Sequence, residues 1–273
     1  MIDLTINCKE ITTIITDFLK TYVKQSGAKG IVLGLSGGID SAVTAFLCTR
    51  AIGSKKVMCL FLPDTTTPTN DRNHYQQFIK KFNIQSKELN ISTIVQHFSK
   101  TLNNTSNVMA QANLKARIRM TMLYHYANCT NTLVCGTSNK SELLVGYFTK
   151  YGDGGVDIFP LGDLYKTQIY QVAHFLHLPK EMITKAPQAG LWHGQTDENE
   201  LGMTYETLDK ILYGLEVKLP LQEIQKSVTV GINDIKRIQN MRKTSQHKRR
   251  SPLVPKIGVR TPGLDWRAPV LEG

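Results

Sequence analysis

No Gly-Lys dipeptide occurs anywhere in the sequence. This excludes G-x-x-x-x-G-K-[ST], the phosphate loop whose lysine meets the terminal phosphates of a nucleotide. The dinucleotide fingerprint G-x-G-x-x-G is missing as well. There is no C-x-x-C: Cys8, Cys48, Cys59, Cys129 and Cys135 are odd in number and widely spaced. A metal cage or a disulfide framework is therefore not expected. Cys48, Cys59 and Cys135 fall within apolar runs and read as small buried hydrophobes of a reducing, cytoplasmic protein. No apolar run approaches the roughly 18–20 residues that span a bilayer, so no membrane partner is expected. The amino-terminal "MIDLTINCKEITTIITDFLK" is interrupted by Asp3, Glu10 and Asp17. It reads as an amphipathic helix within 1–30 and not as a signal peptide.

What is present is ordinary for a globular chain of 273 residues: 41% hydrophobic and 20% charged. The net charge of +11 has a local source. "KRIQNMRKTSQHKRR", Lys236 to Arg250, carries seven Lys or Arg and no acid. Such a segment suits a phosphate-bearing small molecule as well as nucleic acid, or it is a solvated helix face.

Short apolar runs alternate with helical patterns. "IVLGLS" (31–36), "KVMCLFLP" (56–63), "SKELNIS" (86–92), "TLVCGT" (132–137) and "VDIFP" (156–160) read as strands. Several are apolar almost throughout, as strands covered on both faces are. Helical stretches lie between them at about 40–52, 71–82, 93–103 and 107–128, an alternation that argues for a parallel sheet with crossover helices. After Pro160 the pattern turns helical, at about 165–176, 180–185, 204–214, 221–228 and 231–247. With no repeat and no linker, 1–273 reads as one domain with a helical region over 160–250 and a tail over 251–273.

The stretch "GLSGGIDSA", Gly34 to Ala42, stands between the first strand and the helix after it. Gly34-Leu35-Ser36-Gly37-Gly38 matches G-x-S-x-G, the elbow of serine hydrolases. An elbow normally follows earlier strands, however, and it leaves Asp40 and Ser41 without a purpose. The alternative is a phosphate nest. Gly37 and Gly38 lack Cβ atoms, so their N–H groups can approach an anion, and Ser36 and Ser41 add hydroxyls. The helix start aims free N–H groups at the same point. Asp40 would repel a bare phosphate, so its presence implies an intervening cation, Mg²⁺ by preference. As a plain N-cap, Asp40 would leave the paired glycines and serines unexplained.

This stretch resembles the signature loop of the ATP pyrophosphatases, which by itself leaves several synthetases and, as the alternative reading, a tRNA-modifying enzyme open. With "GTSNKSELLVGYFTKYGDGGVDIFPLGDLYKTQ" (136–168), "AGLWHGQTDENELG" (189–202) and "HKR" (247–249), the chain is similar to the ammonia-dependent NAD⁺ synthetases. The resemblance implies an α/β fold: a Rossmann-like, doubly wound, parallel five-stranded sheet with helices on both faces. It implies ATP as co-substrate, Mg²⁺ as cofactor, and ammonia as amide donor for deamido-NAD⁺ through an acyl-adenylate. Ammonia is expected in place of glutamine because the signature loop lies near the amino terminus. A homodimer is implied, with 107–128 and its Met109, Met120, Met122, Leu123 and Tyr126 as a candidate interface; nucleic acid is not an expected partner.

Carried over by motif, Gly34, Leu35, Ser36, Gly37, Gly38, Ile39, Asp40 and Ser41 bind ATP, with Thr137, Lys166 and Gln188. Asp40 and Glu142 bind the metal, and Asp40 and Lys166 are the catalytic pair. Arg117, Lys150, Asp157, His247 and Lys248 bind deamido-NAD⁺. The chain departs from the family pattern at Gln188, where relatives usually carry serine, and in "LPDTTTPTND" (62–71). That loop and 190–203 are expected to close over ATP. On residue type alone, Thr137 would be a strand end, Glu142 a helix N-terminal acid, Lys166 and Arg117 exposed helix cations, and Asp157 half of a local pair.

Overall fold

The computed structural model describes residues 2–102, 107–188, 190, 192, 194 and 196–262. Helix α1, Cys8–Gln25, starts where the Asn7 side chain accepts from the backbone N–H of Glu10 at 3.3 Å. Its stripe Ile15, Leu19 and Val23 recurs every four residues and is buried. Strands and helices then alternate: β1 Gly30–Gly34, α2 Ile39–Ile52, β2 Val57–Phe61, α3 Thr69–Phe82, β3 Gln85–Glu88, α4 Ser92–Thr101, α5 Val108–Thr130 and β4 Thr132–Cys135. The helices that follow are α6 Lys140–Val145, α7 Lys166–Phe175, α8 Lys180–Ile183, α9 Asp197–Leu201, α10 Tyr205–Glu216, α11 Leu221–Lys226 and α12 Ile232–Thr244.

The sheet is parallel, in the order β3-β2-β1-β4, with Leu33 of β1 level with Cys59 on one side and Cys135 on the other. The chain leaves β1 toward β2 and later returns to β1's other edge as β4. The sheet order thus reverses beside β1, and ligands of open α/β sheets lie outside the carboxyl ends of strands at such a point. Pleating sends alternate residues to opposite faces. Ile31, Leu33, Cys59, Phe61 and Cys135 pack in a cluster with Leu19 of α1 and Ile169 of α7. Val32, Leu60 and Val134 face Ile118 and Ala127 of α5. A third cluster joins α10 to α12 through Leu208, Ile211, Leu212, Ile235 and Ile238.

Two expectations need correction. The sheet has four strands, not five. The run 156–160 lies alongside β4, but only as an isolated parallel bridge between Cys135 and Ile158. Asp157 N–H donates to Val134 and Gly136 N–H to Ile158. A side chain makes the remaining link, Asp157 Oδ2 accepting from Val134 N–H at 2.7 Å. Pro160, which has no N–H, then stops the pairing. The stretch 86–92 does pair as a strand, but only as far as Glu88. It supplies β3, whose Gln85, Lys87 and Glu88 are exposed at the sheet edge, where charge discourages further pairing. Helices α6 and α9, six and five residues long, were not among the expected helices.

Leu19 is fully buried where α1 packs on α2 and α7. Leu19→Ala is expected to cost about 2–5 kcal/mol of stability, measurable as a lowered denaturant midpoint with an unchanged slope.

Candidate active site

The turn after β1 is built by contacts that only glycine permits. Gly37 has φ +79°, and a Cβ there would lie 2.6 Å from the backbone oxygen of Asp71 on α3. Gly37 therefore lets the start of α3 press against the turn. Gly38 caps α2 in an extended conformation, and no side chain caps the N–H groups of that helix. The hydroxyls organise the loop: Ser41 Oγ donates to Gly38 O at 2.9 Å, and Ser36 N–H donates to Ser41 Oγ at 3.2 Å. Gly38 N–H donates to Ser36 Oγ at 3.3 Å, and the helix start beyond it has N–H groups that no side chain caps, an arrangement suited to an anion.

Three charged side chains meet beside it. The Lys166 ammonium, at the start of α7, is paired with Asp40 of α2 and lies 3.6 Å from Glu142 of α6. Its side chain is 2% exposed, so it is no solvated helix lysine. Burial works against its charge, yet Asp40 and then Glu142 outweigh that cost and raise its pKa. Burial pushes the Glu142 carboxyl up to about 8, helped by the charges of Asp40 and Asp197 and opposed by Lys166. Asn139 fixes both acids. Its amide donates to Asp40 Oδ1 at 3.1 Å, and its carbonyl accepts from Glu142 N–H at 3.0 Å as the N-cap of α6. The Tyr205 ring lies 5.1 Å from the ammonium and stacks a polarisable face against it.

One buried acid sets the angle between α6 and α7. Asp209 of α10 is fully buried and accepts from the Ser141 hydroxyl and from Thr167 N–H at 2.8 Å. Ser141 Oγ also accepts from Lys166 N–H at 2.9 Å. Two of the first N–H groups of α7 are thus satisfied from other helices, and the residues flanking Glu142 and Lys166 share one anchor. Burial pushes the Asp209 carboxyl up to about 6, against the hydrogen bonds from Ser141 and Thr167.

A cleft of about 490 Å³ opens over these groups. Of the residues expected to bind ATP, Gly34, Leu35, Ser36, Gly38, Ile39, Asp40, Ser41, Thr137, Lys166 and Gln188 line it, as does Glu142; Gly37 lies behind, against Asp71. The residues expected for the dinucleotide are not gathered there. Lys248 alone among them lines the cleft, and its ammonium donates to Gly146 O at 2.6 Å and Phe148 O at 2.9 Å. Arg117 is exposed on α5, its Nε donating to Lys150 O at 3.3 Å. Asp157 accepts from Tyr124 of α5 at 2.9 Å as well as from Val134. His247 is exposed in the turn after α12.

The loop 62–71 is tied down by charge. Asp64 accepts from Thr66 at 2.9 Å and pairs with Lys115 at 2.8 Å and Arg119 at 3.8 Å. Within 190–203 the described part includes α9 and its buried Asp197, which accepts from Tyr205 at 3.1 Å; residues 189, 191, 193 and 195 lie outside the described residues, as do 263–273 of the tail. Motif reading missed Asn139, Asp197, Tyr205 and Asp209. Asn139 alone had a local signal, the Asn-x-x-Glu of a capping box. Asp209 had none, because an acid within a helical pattern reads as solvated.

The NAD synthase family model matches residues 11–252. The NH(3)-dependent NAD(+) synthetase of Archaeoglobus fulgidus is 45% identical over 252 residues, covering 92% of this chain and 98% of that protein. Among solved structures, NMN synthetase from Francisella tularensis has a TM-score of 0.83 at 35% identity, covering 93% of this chain and 100% of that one. NH3-dependent NAD synthetase from Campylobacter jejuni has a TM-score of 0.78 at 33% identity, covering 92% of this chain and 100% of that one.

The folded pKa of Asp209, about 6, lies above the ordinary 3.8. Its stabilising contribution is therefore present at acid pH, below about 3.8, and is lost as pH rises through about 6. Asp209→Asn is expected to remove that loss, so its Tm gains on wild type as pH rises from about 4 to about 7. Thermal unfolding across that range checks it, and parallel curves would contradict the assignment.

Proposed function

The chain belongs to the NAD synthase family, and on that premise we propose how its cleft performs the family's reaction. The protein is an ammonia-dependent NAD⁺ synthetase, a ligase that forms a C–N bond with consumption of ATP. A carboxylate is a poor acyl donor because its leaving group would be oxide. In the first step a carboxylate oxygen of deamido-NAD⁺ attacks the α-phosphorus of ATP, and the bond to the bridging oxygen breaks to release pyrophosphate. Ammonia then attacks the acyl carbon, AMP leaves with the former C–O bonding pair, and the nitrogen loses a proton to give the amide of NAD⁺.

The observation that carries these roles is the meeting of Asp40, Glu142 and Lys166 beside the Gly37 turn. The N–H groups at the start of α2 hold phosphate oxygens, with Ser36 and Ser41 shaping the turn. Lys166 meets the negative charge that grows on pyrophosphate as it departs. Thr137, just past the carboxyl end of β4, and Gln188 line the cleft and would contact the nucleotide. Apolar walls, Phe61, Leu123 and Val156 among them, keep water from the mixed anhydride.

Two carboxylates beside a helix start suit Mg²⁺, which accepts one or two carboxylates and completes its shell with phosphate oxygens and water. Asp40 and Glu142 would hold it, and it would neutralise phosphate charge. Among the described residues, no group of three or more His, Cys, Asp or Glu gathers closely enough to hold a metal by itself.

The positions of Arg117, Lys150 and Asp157 support a dinucleotide site completed by a second chain. Arg117 is exposed on α5 and donates to Lys150 O, Asp157 bridges Tyr124 of α5 and Val134 of β4, and none of the three lines the cleft. Exposed Phe98, Leu102, Val108 and Met109 on and beside α4 and α5 offer an apolar surface for that pairing. Of the expected interface residues, Met109, Met120 and Leu123 line the cleft and Met122 and Tyr126 pack inside the chain; Met109 alone among the five is also largely exposed. Buried, free Cys48, Cys59 and Cys135 support a reducing, cytoplasmic setting. The likeness to an NMN synthetase favours one second reading, a nicotinate mononucleotide in place of the dinucleotide.

Pyrophosphate release is expected to require ATP together with deamido-NAD⁺, with NAD⁺ formed on adding ammonium; a preference for the mononucleotide would favour the second reading, and no release with either acid would overturn both. Asp40→Asn removes a carboxylate from the proposed metal shell and the partner of Lys166. It is expected to lower kcat about 100-fold or more and to raise the Mg²⁺ concentration for half-maximal rate. Kinetics like wild type would leave Asp40 a helix-start acid only.

A further inference from the structure

The cleft must accept a polyphosphate, yet most of its cations are already committed. Lys166 is held between two carboxylates. Arg119 is bound to Asp64 and donates to Leu62 O at 2.9 Å. Lys248 is turned to two backbone carbonyls. Lys185, on the segment after α8, lines the cleft as they do, but among the described residues its ammonium is paired with one carboxylate, that of Asp71 at 2.5 Å.

That pair sits against the nest. The backbone oxygen of Asp71 is the atom that a Cβ on Gly37 would strike. Asp71 lies in the first turn of α3, whose N-cap Pro68 provides no side-chain cap. The free N–H groups and dipole of that helix stabilise the Asp71 carboxylate independently of Lys185. Lys166 meets α2 on the side of the nest formed by α6 and α7, whereas Lys185 reaches the α3 side.

The geometry points to Lys185 as a second phosphate-gripping cation of the cleft, parked on Asp71 until the polyphosphate of ATP draws its ammonium across. This rests on the reading of the cleft as the ATP site. A strap that merely fastens the segment after α8 to α3 needs both partners, so losing either one would harm binding alike. A parked cation gives opposite signs: removing Lys185 weakens ATP binding, and removing the charge of Asp71 releases the ammonium.

The test is the affinity of the full chain for MgATP without the second substrate, by calorimetry, with steady-state KM values beside it. Lys185→Met is expected to bind MgATP about tenfold more weakly, the loss of one charge-assisted contact, with KM for deamido-NAD⁺ unchanged and Lys185→Arg restoring most of the affinity. Asp71→Asn is expected to bind at least as tightly as wild type, a gain that vanishes when Lys185→Met is also present. Should Lys185→Met not fold, the comparison of Lys185→Gln with Asp71→Asn decides on the same opposite signs. Equal affinity of Lys185→Met and wild type overturns the inference alone, as does an Asp71→Asn loss that matches Lys185→Met. A wild-type chain that takes up no MgATP overturns the reading of the cleft and this inference with it.

Discussion

The site depends on one buried ammonium shared by two carboxylates. Lys166 is almost wholly removed from water, and only the charges of Asp40 and Glu142 make its ionised state tolerable there. The debt is mutual. Without Lys166, two acids and the nearby Asp197 would crowd one another, and even with it Glu142 is pushed up to about 8. With Glu142 held toward its neutral form, Asp40 and Lys166 nearly balance one another. A divalent ion arriving with a nucleotide would favour the ionised form of Glu142 and so bring a second carboxylate to its shell.

Such a cluster demands accurate helix placement, because ion pairs in a low-dielectric setting repay desolvation only at close range. Asp40, Glu142 and Lys166 come from three helices, and each helix start is fixed separately. Gly37 lets α3 back the turn that begins α2. Asn139 caps α6 and reaches Asp40. Asp209 and Ser141 hold the first N–H groups of α7. The helical region after Pro160 is thus part of the machinery, since α10 sets the position of a lysine on α7.

The basic segment behaves similarly. Arg249 donates to Leu143 O at 2.7 Å and Leu144 O at 2.9 Å, and Lys248 to Gly146 O, the carbonyls at the carboxyl end of α6. Cations at a helix end satisfy its unpaired carbonyls and oppose its dipole. Two of the seven basic residues that suggest an anionic ligand are therefore engaged in holding the helix that carries Glu142. Charge counting along a sequence cannot separate these uses.

The nest itself was legible, because backbone freedom at Gly37 and Gly38 and the acid at the helix start are local properties written in consecutive residues. The strands β1, β2 and β4 were legible for the same reason, since burial on both faces leaves an apolar run. The fifth run was misread because pairing depends on the neighbour: Asp157 turns its side chain to β4, and Pro160 ends the ladder. Lys166 and Glu142 were reachable only through long motifs, as a lysine at a helix start ordinarily faces water. Asp209, Tyr205 and the pairing of Lys185 with Asp71 had no trace in the sequence. What the sequence determined by itself was each segment's backbone preference and which faces must leave water. The tertiary structure decided which distant charges share a cavity, because pairing energies depend on ångström separations and burial that no local spacing encodes.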